Sequence, residues 1–400
     1  MDQIPQSKLP LAGVRVVEFV HMVMGPTCGV ILADLGAEVI KVEPMPAGDK
    51  TRNLSGGGAG FFPAFNRNKK SVMLDLKSEE GLELARQLVA GADVVTENFR
   101  PGAMDKLGLG AEALSKINPG LIYMSAKGFL NGPYEHRTAL DEVVQMMTGL
   151  AYMTGLNNRP LRVGASVNDI MGGMFGVIAI LCALLQRKES GAGARIEAGL
   201  FETCAFLMAQ HMAAHAVNGL EPLPMAEANR GAWSIYNVFD TSTPNEQVFV
   251  GVVTDTQWEI FCKEFDFPDL LVLTKLGNKE RTARRDEYLP RVRERFAEYT
   301  KADLIAKCEA LGLPYSPIQK PTDLYDDPHL KASGGLIEMT EPDGGNAVVV
   351  PGLPLSVDGA RYGLRNDPPG AGADGADVLA SLGLGADEIE TLRAKGVVKW

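Results

Sequence analysis

Gly13-Val14-Arg15-Val16-Val17-Glu18-Phe19, then Pro26 to Leu35, then Ala37-Glu38-Val39-Ile40-Lys41-Val42-Glu43 read as strand, helix and strand. The outer runs are short and rich in β-branched residues, whereas the middle one repeats its apolar side chains at three-to-four spacing. The cadence continues. Ser71 to Leu76, Asp93 to Glu97 and Leu121 to Ser125 read as further strands, and Glu79 to Ala90 as a helix. Strand, helix, strand at this interval is the signature of a parallel sheet with crossover helices, whose ligands sit beyond the carboxyl ends of the strands. The loops following those strands are therefore where chemistry is expected.

Working outward, a helix is expected from Ile170 to Lys188 and a strand from Arg195 to Leu200. Residues 217–231, with Gly219, Pro222, Pro224 and Gly231, lose periodicity and read as a linker. Beyond it the character changes. Ile235 to Asp240 and Gln247 to Val253 form an antiparallel hairpin, followed by charged helices at about 256–265, 279–299 and 302–311. A second, smaller α+β domain is thus expected over residues 232–334. A further hairpin, Gly335 to Thr340 with Ala347 to Val350, and a helix over Ala386 to Lys395 complete the chain.

The chain has 400 residues, enough for two or three structural units; 46% are apolar and 22% charged, which excludes a mostly disordered protein. The 39 basic and 50 acidic side chains leave a net charge of −11, so nucleic acid and anionic membranes are not expected as partners. A polyanionic ligand must meet a local basic patch. The longest apolar run, Met171 to Leu185, is shorter than a bilayer span, and the N-terminus has no apolar signal region. Cys28, Cys182, Cys204, Cys262 and Cys308 are scattered among mostly apolar stretches. They read as reduced core thiols of a cytoplasmic protein.

Asp169, in Asn168-Asp169-Ile170-Met171-Gly172-Gly173, stands where a small polar loop enters an apolar helix. One reading makes it a first-turn or capping carboxylate. The other makes it a nucleophile, kept ionised by the helix end and able to attack a thioester or anhydride carbonyl. Gly172, Gly173 and Gly176 imply a close approach, either of another element or of a substrate. Lys41, Arg52, Arg67, Lys69, Lys70, Arg100, Lys106 and Arg137 fall mostly at or after strand ends and form a candidate anion site. Gly56 to Gly60 matches neither a dinucleotide fingerprint nor a Walker A loop. His211 and His215 share a helix face without a metalloprotease glutamate, and read as core or interface residues; His21 follows the first strand and can line a pocket.

Leu11 to Glu18, Met24-Gly25-Pro26, Ala33 to Glu43, Gly48 to Arg52, Asn66 to Ser71, Glu97 to Gly102, Gly128-Phe129, Gly132-Pro133-Tyr134 and Asn168-Asp169 together resemble the family III CoA-transferases, the CaiB/BaiF group. The resemblance spans nearly the whole chain. It implies a Rossmann-like large α/β domain with a parallel sheet (residues 1–216, rejoined by 335–400), a smaller α+β domain and an interlocked homodimer. It implies Asp169 as nucleophile, forming aspartyl anhydride and aspartyl-CoA thioester intermediates. Val23, Asn98, Phe99, Lys106 and Leu200 match positions lining the coenzyme A site, Arg137 lies where a basic residue approaches coenzyme A, and Arg52 is added as a further binding residue. His21, Met24 and Tyr134, with Met22 and Gln145, are expected around the substrate. No permanently bound cofactor and no metal is implied; acyl-CoA is a substrate. Some members close a glycine-rich loop over the aspartate, whereas the corresponding stretch here, Gly251 to Gln257, has one glycine.

The expected reaction is CoA transfer from an acyl-CoA, with succinyl-CoA as the expected donor, to a short C4 or C5 dicarboxylic acid. Three alternatives stay open: intramolecular transfer of the mesaconyl-CoA type, a 2-methylacyl-CoA racemase, and a non-catalytic CoA-thioester binder. The racemase resemblance requires a histidine before an Asp, and here Leu140 precedes Asp141.

Overall fold

A computed structural model describes residues 4, 5, 8–156, 158–225 and 233–400. The opening stretch forms β1 (Arg15–Phe19), α1 (Met24–Asp34) and β2 (Glu38–Pro44). β1 and β2 run parallel, with Val16 beside Val39 and Val17 beside Ile40. The tight return from α1 to β2 depends on Gly36, whose φ of +107° disfavours any side chain and whose Cβ would strike Leu9.

β3 (Lys69–Leu74), β4 (Val94–Glu97), β5 (Ile122–Lys127) and β6 (Ala194–Gly199) complete the sheet with the short C-terminal strand Val398–Lys399. The order is C-terminal strand, β3, β2, β1, β4, β5, β6. All neighbours are parallel except the C-terminal strand, which runs antiparallel to β3. Helices cover both faces, so the central strands bury alternate residues in two separate cores. Val16, Val39, Val94 and Ile122 face one; Val17, Ile40, Val72 and Val95 face the other. Strands buried on both faces read as continuous apolar runs rather than alternating ones, which is why they are visible in the sequence. Strand order reverses between β1 and β4, and the loops leaving these two strands open the crevice where such sheets bind ligands.

α2 (Glu79–Ala90) is capped by Ser78, which accepts from Gly81 N, and α3 (Ala111–Ile117) follows β4. α4 (Asp141–Thr148) and α5 (Val167–Ser190) follow β5, and α6 (Leu200–Leu207) and α7 (Ala209–Asn218) follow β6. By length and composition the 24-residue α5 could cross a bilayer. Gly172, Gly173, Gly176, Val177 and Ile180 are buried on its inner side, as in the core helix of a water-exposed domain, while Met174, Ile178 and Leu185 are exposed on the other.

The chain divides into two units, one of residues 1–152, 160–222 and 328–400, the other of 153–159 and 223–327. Part of the stretch read as a linker is the last turn of α7, and 226–231 lie outside the described residues. In the second unit β7 (Ile235–Asp240), β8 (Gln247–Val252) and β9 (Tyr315–Pro317) form an antiparallel sheet. Helices α8 (Asp255–Glu264), α9 (Asn278–Ala283), α10 (Arg285–Phe296) and α11 (Lys301–Ala310) accompany it, and its core is built on Trp258 and Phe261 of α8 and Tyr288 and Phe296 of α10, all fully buried. One continuous helix is expected over 279–299, but the chain breaks between α9 and α10. The break falls at Arg284, and within α9 the buried Arg281 guanidinium pairs with Asp255, donates to Leu276 O and lies 5.3 Å from the Trp258 ring. In the first unit β10 (Leu336–Thr340) pairs with β11 (Ala347–Pro351) as a hairpin. Four cysteines are buried, but Cys182 is exposed on α5 and is no core thiol.

Candidate active site at the start of two parallel helices

The three glycines of α5 admit α1. A Cβ at Gly172 would lie 2.5 Å from Met24 Cε; at Gly173, 2.7 Å from Met24 O and 3.0 Å from Cys28 N; at Gly176, 2.9 Å from Met124 Cε of β5 and 3.5 Å from Cys28 Sγ. The contacts advance along both helices together, so α1 and α5 run side by side in the same direction. The approach implied by the glycines is therefore made by a helix, and no room for substrate exists at these positions. Asp169 precedes Gly173 by four residues and shares its face. One turn back along α1 from Met24 is the loop His21-Met22-Val23, which leaves β1 at the strand-order reversal. Asp169 thus stands in the first turn of α5, on the side packed against α1, whose own start follows that loop. Neither Val23 at the α1 N-cap nor Ser166 at that of α5 caps its own helix; α1 starts with no side-chain cap, whereas the first amides of α5 are met by a carboxylate from another helix.

Asp169 is the third residue of α5 and does not cap it. The cap is Asp141, the first residue of α4, whose Oδ2 accepts from Asn168 N at 2.8 Å and Asp169 N at 3.1 Å. Asp141 Oδ1 accepts from Gln145 Nε2, and Gln145 Oε1 accepts from Val163 N at 2.8 Å. A buried Asp–Gln pair thereby ties the loop before α5 to α4. The expectation that the helix end simply holds Asp169 ionised is corrected. Burial, then the negative charges of Asp141 and Glu142, push its carboxyl up to about 7.

The expected basic patch splits. Lys41 pairs with Asp49, Arg52 with Glu43, Arg67 with Asp34, Lys69 with Glu18 and Lys70 with Glu38. Arg52 also donates to Pro369 O and lies 3.7 Å from the Phe62 ring centre, so its charge is met inside the fold rather than offered to a phosphate. Arg100, Lys106 and Arg137 remain exposed with no carboxylate partner among the described residues. Asn98 and Phe99 lie just beyond β4. Asn98 Oδ1 accepts from His21 N at 2.9 Å and its Nδ2 donates to His21 O at 2.7 Å, bridging the two switch-point loops. The Phe99 ring meets the His21 imidazole edge-on at 5.6 Å. His21 is exposed, and partial burial of its ring, with Lys41 and Lys50 adding to the effect, holds it below the usual histidine value although Asp49 opposes them.

Other expected site residues are placed differently. Val23 and Leu200 are 1% and 4% exposed, so only their backbones can meet a ligand. Met24 is buried under Gly172, and Gln145 is fully buried as the partner of Asp141. Tyr134 is exposed, edge-on to Phe129 at 5.8 Å, with the Arg137 guanidinium 4.9 Å from its ring centre. His211 is half-buried and His215 exposed on α7, which buries none of its residues, so neither is a core histidine. Gly251 and Val252 end β8, and Thr254 caps α8 by accepting from Gln257 N; the stretch compared with a glycine-rich loop is a tight strand-to-helix turn. The residue that sequence reasoning missed is Asp141. Its signal was present, an acid at the first position of an apolar helix, although its action on α5, 28 residues away from Asp169, lies in tertiary structure.

Residues 11–375 match a family model described as CoA-transferase family III. The chain is 33% identical over 400 residues to the succinate–glutarate CoA-transferase of Agrobacterium fabrum, covering 96% of this chain and 98% of that protein. It is 34% identical to the acetyl-CoA:oxalate CoA-transferase of Acetobacter aceti, covering 91% and 92%. Among solved structures, a CaiB/BaiF family protein from Brucella suis superposes with a TM-score of 0.81 at 34% identity, covering 93% of this chain and 99% of that one.

Proposed function

The chain belongs to CoA-transferase family III, and on that premise we propose that it moves coenzyme A from succinyl-CoA to a short dicarboxylic acid through covalent intermediates on Asp169. The observation that carries the reading is the placement of Asp169: a half-buried carboxylate in the first turn of α5, beside the start of α1, with its own amide held by Asp141.

Each step conserves the thioester's energy. An Asp169 oxygen attacks the thioester carbonyl, the C–S bond breaks, and the CoA thiolate leaves an aspartyl acyl anhydride. The thiolate then attacks the aspartyl carbonyl and releases the donor acid, leaving an aspartyl-CoA thioester. The incoming carboxylate opens that thioester to a second anhydride. Returning thiolate attacks the new acyl group, completing acyl-CoA and restoring the Asp169 carboxylate. Every step passes through an oxyanion, which the uncapped N-terminus of α1 is placed to stabilise. Partial burial of Asp169 limits the access of water to intermediates that it would hydrolyse. Arg100, Lys106 and Arg137, the exposed unpaired cations, suit the phosphates of coenzyme A, with Asn98, Phe99 and the backbones of Val23 and Leu200 along its length.

The dicarboxylate acceptor is favoured by relatives named for glutarate and oxalate. Incubation with succinyl-CoA and a panel of carboxylic acids, followed by mass spectrometry, is expected to show glutaryl-CoA or a similar dicarboxylic monothioester. Products formed only from monocarboxylic acids would sink the acceptor assignment. Racemase chemistry is disfavoured by Leu140, an exposed aliphatic side chain where a second proton carrier would stand.

As partner we propose a second copy of the chain. Met174, Ile178 and Leu185 on α5, Phe206 on α6 and Met212 and Val217 on α7 are 48 to 88% exposed, an apolar expanse that a lone chain would leave in water. Light scattering is expected to give a dimer, and Ile178→Asp with Phe206→Asp to weaken it; a monomeric wild type at micromolar concentration would overturn the proposal.

A further inference from the structure

Beneath the loop between β1 and α1 lies a closed cluster of four charges. Glu18, Lys41, Asp49 and Lys69 are each no more than 2% exposed. Lys41 Nζ lies 2.9 Å from Asp49 Oδ2 and donates to Val20 O at 2.7 Å; Lys69 Nζ lies 2.8 Å from Glu18 Oε1 and donates to Pro26 O at 3.1 Å. The two ammonium groups thus hold one carbonyl just after β1 and one in the first turn of α1, on either side of the loop between them. Asp49 Oδ1 accepts from Thr51 N and from Thr51 Oγ1, and that hydroxyl oxygen accepts from Met22 N at 3.0 Å. Met22 has a φ of +64°, a left-handed conformation that costs a non-glycine residue about 1 kcal/mol or more.

Buried ion pairs add little stability over apolar packing, so their presence under a strained loop calls for a positional reason. The grip is directional as well: Met22 N, His21 N and His21 O each meet a side chain, and those side chains come from elements on both sides of the strand-order reversal. We infer that the buried charges, acting through the Thr51 hydroxyl, are a positioning device that fixes the left-handed Met22 loop at the distance from Asp169 that acyl transfer needs. Thr51 and Lys41 are positioning residues, and the catalytic part of the inference rests on Asp169 being the nucleophile.

Thr51→Val removes the hydroxyl and keeps the shape; Thr51→Ser keeps the hydroxyl. Two readouts separate the claims. By hydrogen exchange, residues 20–24 of Thr51→Val are expected to exchange roughly tenfold faster than wild type, with other segments unchanged and Thr51→Ser like wild type. In steady state Thr51→Val is expected to lose roughly tenfold in kcat with KM for succinyl-CoA within twofold, again restored by Ser. Unchanged exchange in residues 20–24 would overturn the device. Faster exchange with wild-type kcat, or equal kcat losses in the Val and Ser variants, would overturn its catalytic role. Wild-type protein that turns over no acyl-CoA would instead refute the functional reading, while the exchange result still decides whether the grip exists.

Discussion

Asp169→Asn is expected to lower kcat for CoA exchange by on the order of a thousandfold or more while leaving acyl-CoA binding nearly intact. An amide is isosteric with the carboxylate but has no nucleophilic oxygen anion, so neither the anhydride nor the aspartyl thioester can form. The loss is not one of folding. The Asp169 carboxyl is raised from 3.8 to about 7 in the folded chain, so the fold favours its protonated form. Stability from that preference is complete below the unfolded value and lost as pH rises through about 7. At pH 8 wild type carries the cost of a buried anion and the neutral variant does not. Thermal melting at pH 8 is thus expected to place Asp169→Asn above wild type. An inactive variant that also melts lower would point to a structural carboxylate instead.

The second large effect concerns pH. Activity needs the Asp169 anion, so kcat/KM is expected to be full above about pH 7 and to fall up to tenfold per pH unit below it. Burial is the main cause of the raised value and the charge of Asp141 the next. Asp141→Asn keeps an acceptor oxygen for the amides of Asn168 and Asp169 but removes the charge, and is expected to move the acid limb to lower pH. Asp141→Ala also removes the cap, at about 1 kcal/mol, and is expected to lose activity at every pH. An acid limb unmoved by Asp141→Asn would assign it to another group.

Much of this architecture is legible along the chain because its causes are local. Val16 and Val17 lie in separate cores on the two faces of one strand, and that double burial writes an unbroken apolar run into the sequence. Ser78 announces α2 by capping it, and Thr254 announces α8 in the same way. Gly172 and Gly173 signal a close approach, but the sequence does not say by what; the Met24 side chain and the backbone of α1 fill the space. The basic cluster shows the limit from the other side. Lys41, Arg52, Arg67, Lys69 and Lys70 look like Arg100 and Lys106 in sequence, and only pairing across strands with Asp49, Glu43, Asp34, Glu18 and Glu38 removes them from ligand binding. Asp141 reads as an ordinary first-turn acid of α4. Its action on α5 and on the Asp169 carboxyl exists only once the two helix starts are brought together.

The most direct test is to incubate wild-type protein with succinyl-CoA, add hydroxylamine, digest and read the peptide containing Asp169 by mass spectrometry. Covalent transfer through this carboxylate predicts an aspartyl hydroxamate at Asp169, dependent on acyl-CoA and suppressed by excess acceptor acid. Turnover with no modification at Asp169, or a hydroxamate on a different carboxylate, would contradict it.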